Sequence, residues 1–285
     1  MILVDFSQVL IAAVMATTKN GKLPIEEGLI RHVALNMLRS YHSKFHKDYG
    51  EMIVCCDHKH SWRKDRFPLY KKHRVKIKND SKLDWNEMYR YMDMMIKEID
   101  ENLPYRVICV DGAEGDDVIA VLCGVRPAGF LGEEPVMIVS GDEDFCQLQE
   151  VGQVTQYFPL KKRIIVNPNP KDFLLEHIIC GDEGDGIPSI LNSDNAIYDR
   201  LSKKKMMPKQ LERLKKLALT NSLRDDENVR YTRNWILIDL DNIPKDLRIS
   251  ILAEFDRQKG KSRGKLFQYM MDKKLKGLMS SIGDF

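Results

Sequence analysis

The chain has 285 residues, 43% hydrophobic and 31% charged, with a formal net charge of only +3. That length allows a substantial core in one large or two smaller domains, and the balance excludes a disordered or fibrous chain. No run nears the roughly 20 apolar residues of a membrane span, no signal-peptide pattern opens the chain, and the total charge does not by itself mark a polyanion binder.

The first apolar run, "MILVDFS", reads as a strand that begins at Met1, without a cleaved leader, and stops at Asp5. Residues 25 to 46 carry Ile30, Val33, Ala34, Met37 and Leu38 at helical spacing. "GEMIVCCD" is a second strand, ending at Asp57. From Lys59 to Lys78 nine Lys or Arg residues stand against one acid, Asp65, and Trp62, Phe67 and Tyr70 are interleaved with them. Asp84 is placed as the N-cap of a helix that carries Trp85, Met88, Met92, Met95, Ile96 and Ile99, whose methionines read as core packing. "YRVICV" is a third strand, followed by "EGDD" and a helix from about Glu114 to Cys123. "VMIVS" is a fourth, followed by Asp142 and Asp144. After "KKRIIVNPNP" the chain turns helical and more polar, so a boundary is expected near residue 168: an α/β core over 1–167 and a helical part over 168–285. A second basic stretch runs from Lys203 to Lys216.

Strands alternating with helices imply a mostly parallel sheet covered by helices on both faces. Ligands of such sheets collect beyond the carboxyl ends of the strands, so the fold gathers Asp5, Asp57, the Glu114 cluster and Asp142 in one cleft. A single strand-end acid is usually a turn former, and Asp111 is read that way. Two dense clusters, Glu114-Asp116-Asp117 and Asp142-Asp144, create a repulsion that turns do not require. A divalent cation neutralises it, and an all-oxygen donor set suits Mg²⁺, with Mn²⁺ as substitute. Two such cations about 4 Å apart form the arrangement of hydrolytic phosphodiester cleavage, which needs no protein nucleophile. An EF-hand does not fit, because "DEDFCQLQEVGQ" lacks the glycine at its sixth position. His58 and His60 are left out, since an oxygen-rich site does not call for nitrogen. The six cysteines include no CxxC pair, which suits free thiols in a reducing, cytoplasmic compartment.

"IICGDEGDGIPSI" adds Asp182 and Asp185 on a glycine-rich turn. A helix is expected to end near Cys180 and another to begin at Pro188, and the turn offers backbone N–H groups to a phosphate through Gly184 and Gly186.

Together these motifs resemble the FEN-type 5′ nuclease family, which includes flap endonucleases and the 5′ nuclease domains of bacterial polymerases. "EGDDVIAVL" resembles the family's E-A-D-D-x-x-A helix start, "VSGDEDFCQL" its S-x-D-x-D-F-x-Q-L block and "FPLYKKHR" its F-P-x-Y-K-x-x-R arch motif. "GDEGDGIPSI" resembles its helix-three-turn-helix signature, with Gly186 and Ser189 where the family has Asn and Gly. "NWILIDLDNIPKDL" and "SSIGDF" resemble the C-terminal region of bacteriophage members. The resemblance implies a PIN-like 5′ nuclease core with a helical arch over about 59–82. It implies that Asp5, Asp57, Glu114 and Asp116 hold a first metal, with Asp117 beside them in a catalytic role, and that Asp142, Asp144, Asp182 and Asp185 surround a second. It gives Lys71 and Arg74 to the scissile phosphate, and Tyr70, Lys72 and Arg63 to the nucleic-acid strand. The implied activity is 5′ to 3′ exonuclease and flap endonuclease cleavage of RNA·DNA and DNA duplex ends by a monomer. Residues of the tail from about Lys261 to Lys276 are assigned to DNA or to a single-stranded-DNA-binding protein. Two rivals remain: a PIN-type ribonuclease, which would lack the hairpin, and a non-catalytic DNA-structure binder.

Overall fold

The computed structural model describes residues 1–81, 83–124, 134–150 and 153–285, so Lys82, the last residue of the expected arch, lies outside it. β1 (Ile2–Asp5), β2 (Met52–Cys55), β3 (Arg106–Ile108), β4 (Val136–Val139) and β5 (Val154–Phe158) are parallel, and β6 (Arg163–Ile165) is antiparallel to β5. Their order in the sheet is β3-β2-β1-β4-β5-β6. The chain therefore leaves β1 in one direction and returns to its other side at β4, a switch point where strand ends splay apart and leave a crevice. Register pairs Asp5 with Cys55 and Val4 with Val139, which sets Asp5 level with Ser140 and two residues short of Asp57.

Helices α1 (Phe6–Thr17), α2 (Glu27–Tyr49), α3 (Trp62–Arg66), α4 (Arg74–Asn79), α5 (Trp85–Asn102) and α6 (Gly115–Leu122) connect the first four strands. After the sheet come α7 (Pro170–Cys180), α8 (Pro208–Leu219), α9 (Asp225–Ile238), α10 (Lys245–Arg257), α11 (Leu266–Asp272) and α12 (Lys276–Met279). Ile2 and Val4 point to a core shared with α1, α2 and α5, and Leu3 points to a second core shared with α6 and α10. All three strand residues are fully buried, which explains a continuous apolar run where a one-faced strand would alternate. Each such side chain contributes roughly 1.5–3 kcal/mol by leaving water.

α1 is absent from the periodicity reading, because "VLIAAVMA" is apolar almost all round and shows no stripe. Asp5 starts it, its Oδ1 accepting from the Gln8 N–H at 3.1 Å. Asp84 caps α5 as expected, accepting from the Glu87 N–H at 3.0 Å. The expected helix after Pro188 does not form, and the chain makes successive turns as far as Arg200. Asn192, Ser193, Asp194 and Asn195 offer side chains that compete with helical backbone pairing. Asn192 shows how, since its amide donates to the Ser189 hydroxyl and its carbonyl accepts from the Lys204 N–H.

The last helices return to the sheet. α10 lays Ile251 and Phe255 on the second core, and Gln258 beyond it covers edge strand β3, accepting from the Val107 N–H at 2.8 Å and donating to its carbonyl at 2.5 Å. Leu266, Tyr269, Met270, Leu275, Leu278 and Phe285 complete the first core. Two cations of the tail pair with acids of α5: Lys261 with Asp100 at 2.7 Å and Lys273 with Glu98 at 2.5 Å.

Candidate active site

Two groups of carboxylates stand side by side beyond the sheet. The first comprises Asp5, Asp57, Asp116 and Asp142, from the ends of β1, β2 and β4 and the first turn of α6. Their hydrogen-bond donors are neutral. Asp5 accepts from the Gln8 amide and from the Ser140 hydroxyl at 3.0 Å. Asp57 accepts from the Ser7 hydroxyl at 2.6 Å and from the Gly115 N–H at 2.7 Å. Gln8 ties α1 to the β4 end, its carbonyl accepting from the Gly141 N–H at 2.6 Å. Gly141 has no room for a side chain, because a Cβ there would lie 2.3 Å from the Phe158 ring.

Burial, then the Asp57 charge, pushes Asp5 up to about 6. Burial, then Asp144, pushes Asp142 up to about 7. Asp116 is raised well above the usual carboxylate range by burial and by Asp142. These acids repel one another and hold too little positive charge to compensate. An all-oxygen set of this kind fits a hard divalent cation.

The second group, Glu114 and Asp117, flanks Asp116 at the start of α6 and is neutralised. Arg63, expected on the nucleic-acid strand, is 3% exposed. Its Nη2 meets Asp117 at 2.8 Å, its Nη1 meets Glu114 at 3.0 Å, and its Nε donates to the Leu237 carbonyl at 2.8 Å. It is a buried counter-ion with no face left for a phosphate. Asp117, expected to be catalytic, is fully buried and accepts from the Trp62 indole N–H at 3.2 Å and the Glu114 N–H at 2.9 Å. It positions the start of α6. Tyr70, expected to touch the strand, is 2% exposed, and its hydroxyl lies 2.8 Å from Glu114 and 2.7 Å from Asp185.

Glu114, expected among the metal ligands, accepts instead from three protein donors: Arg63, Tyr70 and Lys71, whose Nζ lies 2.6 Å away. Burial works against its charge, but Lys71 and Arg63 outweigh burial and hold it down at about 2. Lys71 sits in a left-handed backbone conformation, φ +54°, that a non-glycine residue adopts at a cost of about 1–3 kcal/mol. Its N–H donates to the Asp185 carbonyl at 2.7 Å, so the strain is held by the hairpin. Arg74, half-buried, reaches the Gly184 carbonyl at 2.9 Å and Asp185 at 2.5 Å. Lys72 is exposed and stacks its ammonium over Tyr198 at 4.9 Å.

The hairpin thus docks on the arch base. Gly184 is exposed, but Gly186, expected to face a phosphate backbone, is buried with φ +78°, and a Cβ there would lie 2.8 Å from His73. Its missing side chain serves packing between hairpin and arch. Asp182 is raised to about 6 by burial and by Asp185. Asp144, His177 and Asp182 bring one ligand atom each within 4.8 Å of one another. Ser7, Gln8, Ser140 and His177 were not legible as site residues; the Ser after the fourth strand and the Gln three past Asp5 carried the only signal.

Residues 1–171 match the family model described as 5′-3′ exonuclease, N-terminal resolvase-like domain, and residues 171–285 match that described as T4 RNase H, C terminal. The chain is 29% identical to the ribonuclease H of Enterobacteria phage T4 over 99% of its own length and 95% of that protein's. It is 28% identical to DNA polymerase I of Pseudomonas aeruginosa over 67% of this chain and 20% of the polymerase. Among solved structures, the phage T5 5′-exonuclease with zinc bound has a TM-score of 0.60 at 16% identity, covering 91% of this chain and 99% of that one. The T5 flap endonuclease in a pseudo-enzyme–product complex with DNA and metal ions has a TM-score of 0.61 at 16% identity, covering 90% and 98%.

Proposed function

This chain belongs to the 5′-3′ exonuclease family, and from that premise we propose that it is a Mg²⁺-dependent two-metal nuclease that trims RNA·DNA and DNA 5′ ends and cuts 5′ flaps. The observation that carries the reading is the unneutralised group Asp5, Asp57, Asp116 and Asp142 at the sheet's switch point. These four would hold one divalent cation, and Asp144 and Asp182 a second, with Asp185 beside it, tied to Tyr70, Lys71 and Arg74. A cation so bound would supply a water of lowered pKa and would stabilise the leaving oxygen. Glu114 and Asp185 hold the Lys71 ammonium between them, at 2.6 and 3.5 Å, as a positive charge preorganised for a phosphate. Arg74, beside it, offers a second. The fold neighbour solved with DNA and metal ions and the relative named ribonuclease H support a nucleic-acid substrate. Removal of RNA primers during phage replication in the host cytoplasm, and a single-stranded-DNA-binding protein on the C-terminal region of a monomeric enzyme, complete the proposal.

The test uses 5′-labelled RNA·DNA duplex and 5′-flap substrates with Mg²⁺ or EDTA. Wild type is run beside Asp142→Asn. Short 5′ products that require Mg²⁺ and vanish in the variant are the expected result. Tight binding without cleavage, unchanged by the substitution, would leave a DNA-structure binder in place of the enzyme.

A further inference from the structure

The hairpin side of the site contains a nitrogen donor that the acid pattern does not call for. His177 lies in the last turn of α7, and Asp182 follows just past the helix end. α7 packs against the 3₁₀ segment Glu143–Glu150, which brings Asp144 in from the β4 end. The His177 Nε2 lies 3.0 Å from the Asp144 Oδ1. The ring does not swing freely, since it stacks on Phe173 one turn earlier with centroids 5.7 Å apart and planes 8° from parallel. Asp144, His177 and Asp182 therefore present two carboxylate oxygens and one imidazole nitrogen, all within 4.8 Å of one another.

That donor set differs in kind from the other half of the cleft. Asp5, Asp57, Asp116 and Asp142 offer oxygen alone, which suits Mg²⁺. A mixed nitrogen and oxygen set suits Mn²⁺, Co²⁺ or Zn²⁺, because imidazole binds first-row transition ions well and Mg²⁺ poorly. A ring already fixed in orientation loses little freedom on binding, which raises affinity further.

We propose that His177 is a direct ligand of a cation held with Asp144 and Asp182, and that it makes this position select Mn²⁺-class ions over Mg²⁺. This deepens the proposed nuclease reading and rests on it for the second cation. The two cation positions of the cleft are then chemically unequal: one hard and oxygen-only, one borderline. His177 would act as the neutral imidazole, and the contact with Asp144 becomes a shared ligand sphere.

The experiment is pulsed electron paramagnetic resonance on the full chain loaded with Mn²⁺, with Mn²⁺ and Mg²⁺ affinities measured alongside in wild type and His177→Gln. The wild type should show ¹⁴N modulation from a coordinated imidazole. The variant should lose it, and its Mn²⁺ affinity at one position should fall about tenfold or more, with Mg²⁺ affinity changed less than about threefold. Absence of ¹⁴N coupling in the fully loaded wild type, or coupling that persists in His177→Gln, overturns the proposal. The wild-type signal does not depend on how the variant folds. Failure of the wider reading is separable: ¹⁴N coupling without any Mg²⁺-supported cleavage by the wild type removes the nuclease and keeps the ligand. Cleavage without coupling removes only the ligand.

Discussion

The two carboxylate groups beyond the sheet are made of the same kind of side chain, and Asp116 of one adjoins Asp117 of the other, yet they solve opposite problems. Glu114 and Asp117 are deeply buried and fully paired, with Arg63, Lys71, Tyr70 and Trp62 supplying donors. Asp5, Asp116 and Asp142 are partly buried, and burial and mutual repulsion push all three upward. One group is a finished piece of structure. The other stores electrostatic free energy that a bound cation can release. Acid density alone does not mark a metal site; the partners of each acid do.

Substitutions should therefore move stability in opposite directions in the two groups. The largest expected effect is at Arg63. Arg63→Ala strands Asp117 as a buried charge and leaves Glu114 with Lys71 and Tyr70, and removal of one partner of a buried ion pair costs about 3–5 kcal/mol. Urea unfolding should show it as a lower midpoint with an unchanged slope. A loss under about 1 kcal/mol would mean that the paired group does not hold the fold together. Asp142→Asn should do the reverse in EDTA and raise the melting temperature, because it removes a charge whose ionised form the fold disfavours. One pKa unit corresponds to about 1.4 kcal/mol, so a gain of about 1–3 kcal/mol is expected. The same variant should lose cleavage on the order of 10³-fold, the scale of several kcal/mol of metal-derived stabilisation. An Asp142→Asn protein less stable than wild type would break the comparison.

Much of this was legible in the sequence, and the reasons are physical. Strands buried on both faces read as unbroken apolar runs, and a parallel sheet puts their carboxyl ends together, so Asp5, Asp57, Asp116 and Asp142 could be assembled from pattern alone. Side-chain direction could not. In the basic run from Lys59 to Lys78, sequence does not reveal that Arg63 turns inward and Lys72 outward, because a charge run looks the same on either side. Glu114 was grouped with the metal acids for the same reason: its neutralisers come from α3 and the Tyr70–Lys71 turn, roughly 40 to 50 residues away in sequence, a pairing that only the fold reveals. His177 escaped because its meaning depends on α7 packing against the segment after β4, a contact with no local signature.

Mg²⁺ offers a gentler separation of the two groups. A ligand that binds only the folded state stabilises it by RT ln(1 + [L]/Kd), about 2.7 kcal/mol at a hundredfold excess over Kd. Wild type should gain melting temperature on moving from EDTA to Mg²⁺, by several degrees for a chain of this length, and Asp142→Asn should gain much less. Lys71→Met should still gain, since Lys71 forms its ion pairs with Glu114 and Asp185, and loss of its charge removes an attraction that lowers Asp5 and Asp116 and so leaves more repulsion for the cation to relieve. Equal gains in wild type and Asp142→Asn would place the cation elsewhere.

Tyr70→Phe is the smallest chemical change and the sharpest probe. It removes one hydroxyl shared between Glu114 at 2.8 Å and Asp185 at 2.7 Å and leaves the ring packed against Phe67, Ile178 and Leu237. Glu114 keeps Arg63 and Lys71, and Asp185 keeps Arg74, so neither acid is stranded. The cost should stay near that of one hydrogen bond to a charged group, about 1.5–3 kcal/mol. The hydroxyl also joins the arch base to the hairpin, so its loss should loosen the one side of the cleft where the paired group and the unpaired acids meet. Hydrogen exchange at the Lys71 and Ile187 amides, which donate to the Asp185 and Asp182 carbonyls, reads that directly. Faster exchange there, with the β1 and β4 amides unchanged, would show that the paired group holds the hairpin in place for the acids beside it. Uniform protection across the molecule would mean that the hairpin docks through its apolar contacts alone.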